Sequence, residues 1–219
     1  MSDLHRRLER WSGFRLHRWY LAAAYRAGYE QLRRMGADPL ARAGARVLLC
    51  GTGSAETSLA FARFVRERNP SASLVVLDLS ARPLVASRAL VPGAGWLRAD
   101  ARALPIAGES IDLIETDFFL QYFEPEAKRV IAAEWSRVLA PGGAIMSRDY
   151  VLDGSASVER LLDRGRRALF RRTLGIDTFS VRRLELAEIF GAAGLTLALK
   201  SPRGVPLVKM LAAVSSDGR

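Results

Sequence analysis

Three features of this 219-residue chain predict an α/β fold built on a mostly parallel sheet. The first is the stretch 45–60, ARVLLCGTGSAETSLA, where an apolar run meets two close glycines and then small and apolar residues at helical spacing. That pattern is a buried strand, a tight turn and a helix start. The second is Leu74-Val75-Val76-Leu77-Asp78, another short apolar run, closed by an acid. The third is the run from Ile111 toward Asp117, followed much later by a closing antiparallel pair at 195–199 and 205–214.

The glycine turn narrows the ligand. Gly51 and Gly53 free the backbone where it must turn sharply or let a ligand lie against it. A turn at the carboxyl end of a parallel strand is where open α/β sheets bind nucleotides. The dinucleotide fingerprint wants a third glycine where Glu56 stands. An acid in the first helical turn suits the helix dipole but repels a pyrophosphate seated there. No Gly-Lys-Ser/Thr follows, so the phosphate-cradling loop is absent too, and the turn favours a nucleoside without phosphates. Asp78, one βα unit further on, suits the two hydroxyls of a ribose, its alternative being a helix cap or surface turn.

Composition is that of a globular protein, 49% apolar and 26% charged. No apolar run approaches membrane-spanning length and the amino end lacks a signal-peptide pattern, so the cytoplasm is the expected location. The single Cys50 excludes an internal disulfide, and with only two histidines there is no zinc-type ligand cluster and no metal is expected. The net charge of +10 is uneven: residues 1–46 hold ten arginines against four acids, and residues 156–183 hold eight against three. The part expected to bind the nucleotide is thus close to neutral, with two basic segments outside it. Those segments suit an anionic substrate, an acidic partner, a membrane surface or nucleic acid. Arginine supplies 30 of the 33 basic residues, a bias that base composition of a genome also produces.

In chain order, residues 3–36 read as helices. Leu4, Leu8 and Trp11 form one stripe, Ser12-Gly13 interrupts it, and Leu21, Tyr25, Tyr29, Leu32 and Met35 continue it. After the first strand a helix runs from about Ala55 to Arg68, then a second strand, a helix near 81–90 and a short third strand ending near Ala99. Asp100 is then placed to accept from an adenine amino group. A basic amphipathic helix at 155–174 follows the fifth strand, and a further helix runs through Phe190.

Taken together, several segments resemble the class I S-adenosylmethionine-dependent methyltransferases. Residues 100–114, DARALPIAGESIDLI, are similar to that family's D-A-x-x-L-P-[FI]-x-x-x-S-[FI]-D-L-[IV] region. Arg137-Val138-Leu139-Ala140-Pro141-Gly142-Gly143 resembles its R-V-L-x-P-G-G turn before the fifth strand, and Ala193-Gly194-Leu195 its A-G-[FL] helix end before the sixth. Read from Val47, the first strand and turn follow V-L-D-x-G-x-G-x-G without a gap. The spacing after Asp100 is closest to the branch that modifies quinones and other small molecules.

The resemblance implies a Rossmann-like, seven-stranded, mostly parallel sheet with helices on both faces and an antiparallel closing strand. An N-terminal helical cap would occupy 1–44, and the methyltransferase domain 45–219, with a basic helical insertion at about 155–176. S-adenosyl-L-methionine is the implied cofactor. Gly51, Thr52 and Gly53 would lie against its methionine and ribose portions, Asp78 would take the ribose hydroxyls, and Leu79 would pack on the adenine. Asp100 and Ala101 would read the adenine edge, with Asp117 and Phe118 beside the sulfonium and methionine end. Tyr20, Tyr25, Gln121, Tyr122, Asp149 and Tyr150 are the candidates to face the acceptor. Two positions depart from the pattern: the first-strand acid, which usually helps orient the methionine ammonium, is Leu49, and the third glycine is Ala55.

The implied activity moves a methyl group to an O, N or C atom of a small acceptor. Trp11, Phe14, Trp19, Tyr20, Tyr25 and Phe170 favour an apolar or aromatic one. A general base is needed only for a protonated acceptor; Asp149, Tyr150, Tyr122 and His17 are candidates and none is assigned. Leu49 supports an alternative, a non-catalytic cofactor-binding protein of the same fold. A nucleic-acid methyltransferase ranks below both, because Asp117-Phe118-Phe119-Leu120 stands where base-modifying enzymes carry Asn/Asp-Pro-Pro-aromatic. The basic helices are compatible with peripheral membrane contact, and the chain with a monomer or homodimer.

Overall fold

A computed structural model describes residues 15–52, 54–153, 157–201 and 208–215, with the side chains of 15–19 and 174 excepted. The first apolar stripe, Gly53 and the 205–207 part of the expected last strand lie outside the described residues.

Seven strands form one sheet in the order β3-β2-β1-β4-β5-β8-β7, and a two-residue strand, β6, pairs with the end of β5. In chain order, α1 (Arg15–Arg34) leads to β1 (Arg46–Cys50), α2 (Ala55–Arg68), β2 (Ser73–Asp78), α3 (Ala81–Arg88), β3 (Gly95–Arg98) and β4 (Ile111–Asp117). A 3₁₀ turn (Leu120–Tyr122), α4 (Pro125–Val138), β5 (Leu139–Leu152) and α5 (Ser157–Leu174) follow. The chain closes with β6 (Val181–Arg182), α6 (Arg183–Ala192), β7 (Leu195–Lys200) and β8 (Val208–Ser215). β8 runs antiparallel between β5 and β7, while β1 to β5 pair in parallel. The expected fold is present, and residues 125–138, for which the sequence pattern predicts no element, form α4.

Alternation along the strands builds two cores. Val47, Leu49, Val76 and Leu113 turn to one face, under Leu21, Tyr25 and Tyr29 of α1 and Phe61 and Phe64 of α2. Leu48, Cys50, Leu77 and Ile114 turn to the other, under Ile131 and Trp135 of α4 and Ile189 and Phe190 of α6. α1 lies very close to the sheet: a Cβ on Gly28 would sit 2.8 Å from Met146 Sδ and Met210 Cε. Any larger residue there would force the two methionine side chains to shift. The pair of β1 and β4 is pinned at its start by buried Asp112, which accepts from the Arg46 backbone N–H at 2.7 Å and pairs with the Arg42 and Arg46 side chains.

Candidate functional site

The parallel strands β3, β2, β1 and β4 are neighbours, so their carboxyl ends bring residues 98–102, 78–80, 51–54 and 117–119 to one edge. The crevice outside these ends is where this class of sheet binds ligands.

Asp78 is the best-defined group there. Its Oδ2 accepts from the Thr52 backbone N–H and from Thr52 Oγ1, both at 2.9 Å, and its Oδ1 from the Ser80 N–H at 2.8 Å. The carboxylate is therefore fixed beside the glycine turn, with acceptor capacity left on Oδ1. Leu79 beside it is 62% exposed, a large apolar side chain at the strand end. Gly51 has φ +85°, and a Cβ on it would strike the Phe119 ring at 2.7 Å. Glycine at 51 is thus demanded by backbone conformation and by a protein side chain. Ser54 caps α2, accepting from the Thr57 N–H, and Glu56 occupies the first turn. That helix end already carries a negative charge, in keeping with a phosphate-free ligand.

Asp100 and Asp117 are placed at the edge, but both carboxylates are engaged within the protein. Asp100 binds Arg102 through Nε, Nη2 and the backbone N–H, and these bonds hold its pKa below the usual value. Asp117 forms a two-pronged pair with Arg148, Nε to Oδ1 and Nη2 to Oδ2 at 2.7 Å each, almost wholly buried. Asp117 therefore orients Arg148 and does not present a free carboxylate at the strand end. Ala101 is buried in the core.

Phe118 follows Asp117 with φ +50°, a left-handed conformation that costs a non-glycine residue on the order of 1–3 kcal/mol. Its N–H donates to the Arg148 carbonyl at 2.6 Å and its ring lies 4.6 Å from that of Tyr150. The Arg148 guanidinium stands over the rings of Phe118 and Tyr20, at 4.8 and 5.0 Å, and Arg166 of α5 stands 4.8 Å over Tyr150. Tyr20, Phe118 and Tyr150 thus form one partly exposed aromatic group interleaved with arginines. Tyr122 is 41% exposed nearby in sequence.

Three acceptor-facing candidates are corrected by their burial. Tyr25 is enclosed among Phe61 and Phe64, with its hydroxyl reaching the Thr57 carbonyl at 3.5 Å. Gln121 is buried, donating to the Phe118 carbonyl at 2.9 Å and accepting from Arg166. Asp149 is fully buried, accepting from the backbone N–H groups of Leu120 at 2.6 Å and Tyr150 at 2.9 Å. It ties the loop after β4 to β5.

Burial pushes the Asp149 carboxyl up to about 7, against the pull of its two backbone donors. An unfolded aspartate titrates near 3.9. Between those values the folded protein keeps a proton that the unfolded chain has released, so stability falls as pH rises from about 4 to about 7. At about 1.4 kcal/mol per pKa unit this amounts to about 4 kcal/mol, with no further change from this group above that window. Buried Glu115, also raised, acts in the same direction. Urea denaturation between pH 4.5 and 8 is expected to show the decline, and Asp149→Asn to flatten it even if less stable throughout; an unchanged slope in that variant refutes the assignment.

Glu115 and Arg148 were not singled out from the sequence. A glutamate inside the apolar run 111–116 was the available signal, since a strand buried on both faces has no place for an unpartnered charge.

The sheet order and the strand-end crevice are those of a Rossmann-like α/β fold. Residues 47–143 match the family model described as a methyltransferase domain. Over this part of its length the chain is similar to methyltransferases. It is 35% identical over 117 residues to a ubiquinone/menaquinone biosynthesis C-methyltransferase of Dinoroseobacter shibae, covering 50% of this chain and 44% of that one. It is 36% identical over 118 residues to a malonyl-[acyl-carrier protein] O-methyltransferase of Methylococcus capsulatus, covering 52% and 38%. The chain thus spans less than half the length of these curated relatives. Among solved structures, the YcgJ protein of Bacillus subtilis superposes with a TM-score of 0.63 at 16% identity, covering 89% of this chain and all of that one. An S-adenosylmethionine-dependent methyltransferase of Methanosarcina mazei gives 0.56 at 14% identity, covering 80% and 93%. At these identities the structures speak for the fold.

Proposed function

We propose that this protein transfers a methyl group from S-adenosylmethionine to a small apolar or aromatic acceptor. The observation that carries the proposal is the Asp78 carboxylate, held by three donors against the turn after β1 with exposed Leu79 at its side. A carboxylate so placed fits the paired hydroxyls of a ribose, and Leu79 an adenine face. Bound S-adenosylmethionine supplies the activated methyl group. The chain's part is to hold, align and exclude water. In this assignment Asp78 and the Gly51–Thr52 backbone seat the nucleoside, while Tyr20, Phe118 and Tyr150 with Arg148 and Arg166 wall the acceptor. Burial raises the Tyr150 phenol, so at neutral pH it acts as a hydrogen-bond donor and not as a base. Asp149 is enclosed, and an acceptor that arrives deprotonated or strongly nucleophilic is favoured. Calorimetry with S-adenosylhomocysteine tests the proposal: micromolar or tighter binding supports it, and no binding overturns it.

The acceptor's source is inferred from α5. No described helix is long and apolar enough to cross a membrane. Yet α5 leaves Val158, Leu161, Leu162 and Leu169 between 50% and 69% exposed, at spacings that align them on one face. The helix carries six arginines against Glu159 and Asp163, of which Arg166 is turned inward onto Asp163 and Gln121. An apolar stripe bordered by arginines complements an anionic lipid surface, and we assign α5 to such a surface on the cytoplasmic side. Vesicles containing phosphatidylglycerol are expected to co-sediment the protein, with a loss of tenfold or more in Leu161→Asp/Leu169→Asp and no change in cofactor affinity. Equal binding by the variant refutes the assignment.

A further inference from the structure

Position 49 lacks the acid that the resemblance leads one to expect, and the structure shows what stands beside it. In the parallel register of β1 and β4, Leu49 pairs with Glu115. Register partners on neighbouring strands project to the same face, about 4.8 Å apart. Glu115 therefore sits level with position 49, one strand over, on the face covered by α1 and α2. It is 2% exposed, and its Oε2 is buried with no hydrogen-bond partner. Burying a carboxyl without a partner is costly, and such groups mark functional sites more often than chance.

A second orphan lies on the same face. Asp117 pairs in register with Arg148, two residues beyond Glu115. Asp117 uses Nε and Nη2 of that guanidinium, leaving Nη1 buried and unbonded. No ion pair joins Glu115 to Arg148 among the described residues. One unpaired acidic acceptor and one unpaired cationic donor, both near the carboxyl ends of β4 and β5, match an ammonium and a carboxylate carried on one carbon.

We propose that Glu115 replaces the acid missing at position 49 and binds the ammonium of the cofactor's amino-acid end, with Arg148 Nη1 facing its carboxylate. The assignment rests on the methyltransferase proposal above. It moves the acid sideways by one strand and keeps its depth in the sheet. Burial, then Asp117, raise the Glu115 carboxyl, and Arg148 opposes them; an ammonium seated there would favour the ionised form.

The test compares two ligands by calorimetry at pH 7.5: S-adenosylhomocysteine, which has the amino-acid end, and 5′-methylthioadenosine, which lacks it. Wild type should bind the first at least tenfold more tightly. Glu115→Gln should weaken the first tenfold or more and change the second by less than twofold. Leu49→Asp combined with Glu115→Val should recover most of the lost affinity. Unchanged binding in Glu115→Gln overturns the assignment and leaves the methyltransferase proposal standing; equal weakening of both ligands does the same, since it indicates general damage to the site. If wild type binds neither ligand, both proposals fail.

Discussion

Asp78→Ala is expected to weaken S-adenosylhomocysteine about a hundredfold or more. Two hydroxyls donating to a carboxylate contribute roughly 1.5–3 kcal/mol each, and about 1.4 kcal/mol is a factor of ten. Both that ligand and 5′-methylthioadenosine carry the ribose, so both should lose affinity together, which separates this variant from Glu115→Gln. The side chain also has a structural task. Thr52 is fully buried and donates both its N–H and its hydroxyl to Asp78. Removing that acceptor leaves buried donors unsatisfied, at a cost of about 1–3 kcal/mol, so a modest fall in melting temperature should accompany the loss of binding. Asp78→Asn keeps one oxygen for Thr52 and is the control: near-normal stability with weak binding supports the ribose role. Full affinity in Asp78→Ala would remove the nucleoside from this strand end.

Asp117→Ala should be the most destabilising single change. Burial by itself disfavours the Arg148 charge, and Asp117 more than offsets this, holding the guanidinium protonated. Without Asp117 that cation stays in the interior with no counter-ion, and breaking a buried pair from one side costs about 3–5 kcal/mol. For a domain of this size each kcal/mol lowers the melting temperature by about 2–4 °C, so a fall on the order of 10 °C is expected by scanning fluorimetry. Replacing both partners, Asp117→Leu with Arg148→Met, should restore much of it, because an apolar pair of similar volume leaves no charge stranded. A double variant no better than the single would show that the carboxylate serves something other than Arg148.

The fold was largely legible because it depends on local pattern. Apolar runs bounded by Gly and Asn-Pro fix β1, β2 and β4 to within a residue or two and the helix from Ala55 to Arg68 at both ends, whereas Pro141-Gly142-Gly143, expected as a turn before the fifth strand, lies inside β5. The 125–138 helix is harder to read because its start carries no side-chain cap, only Pro125 in its first turn. The site was legible only in part. Asp78 stands where strand order places it, whereas the engagement of Asp100 by Arg102 and of Asp117 by Arg148 depends on side chains whose meeting no linear pattern records. Gln121 and Asp149 lie near the right strand ends in sequence, but the period of two sends Asp149 inward, and the 3.6-residue period of α1 turns Tyr25 toward Phe61. Glu115 was hidden for the complementary reason: its significance lies in its neighbour across the sheet.

The three donors that clamp Asp78 have a consequence for selectivity. Rotation of the carboxylate would break bonds to Thr52 or Ser80, so it cannot swing to make up for a missing hydroxyl. A pre-organised acceptor of this kind discriminates by what a ligand lacks. On the ribose role proposed for Asp78, a 2′-deoxy analogue of the cofactor is expected to lose nearly the full strength of one hydrogen bond, because the acceptor is already fixed before any ligand arrives.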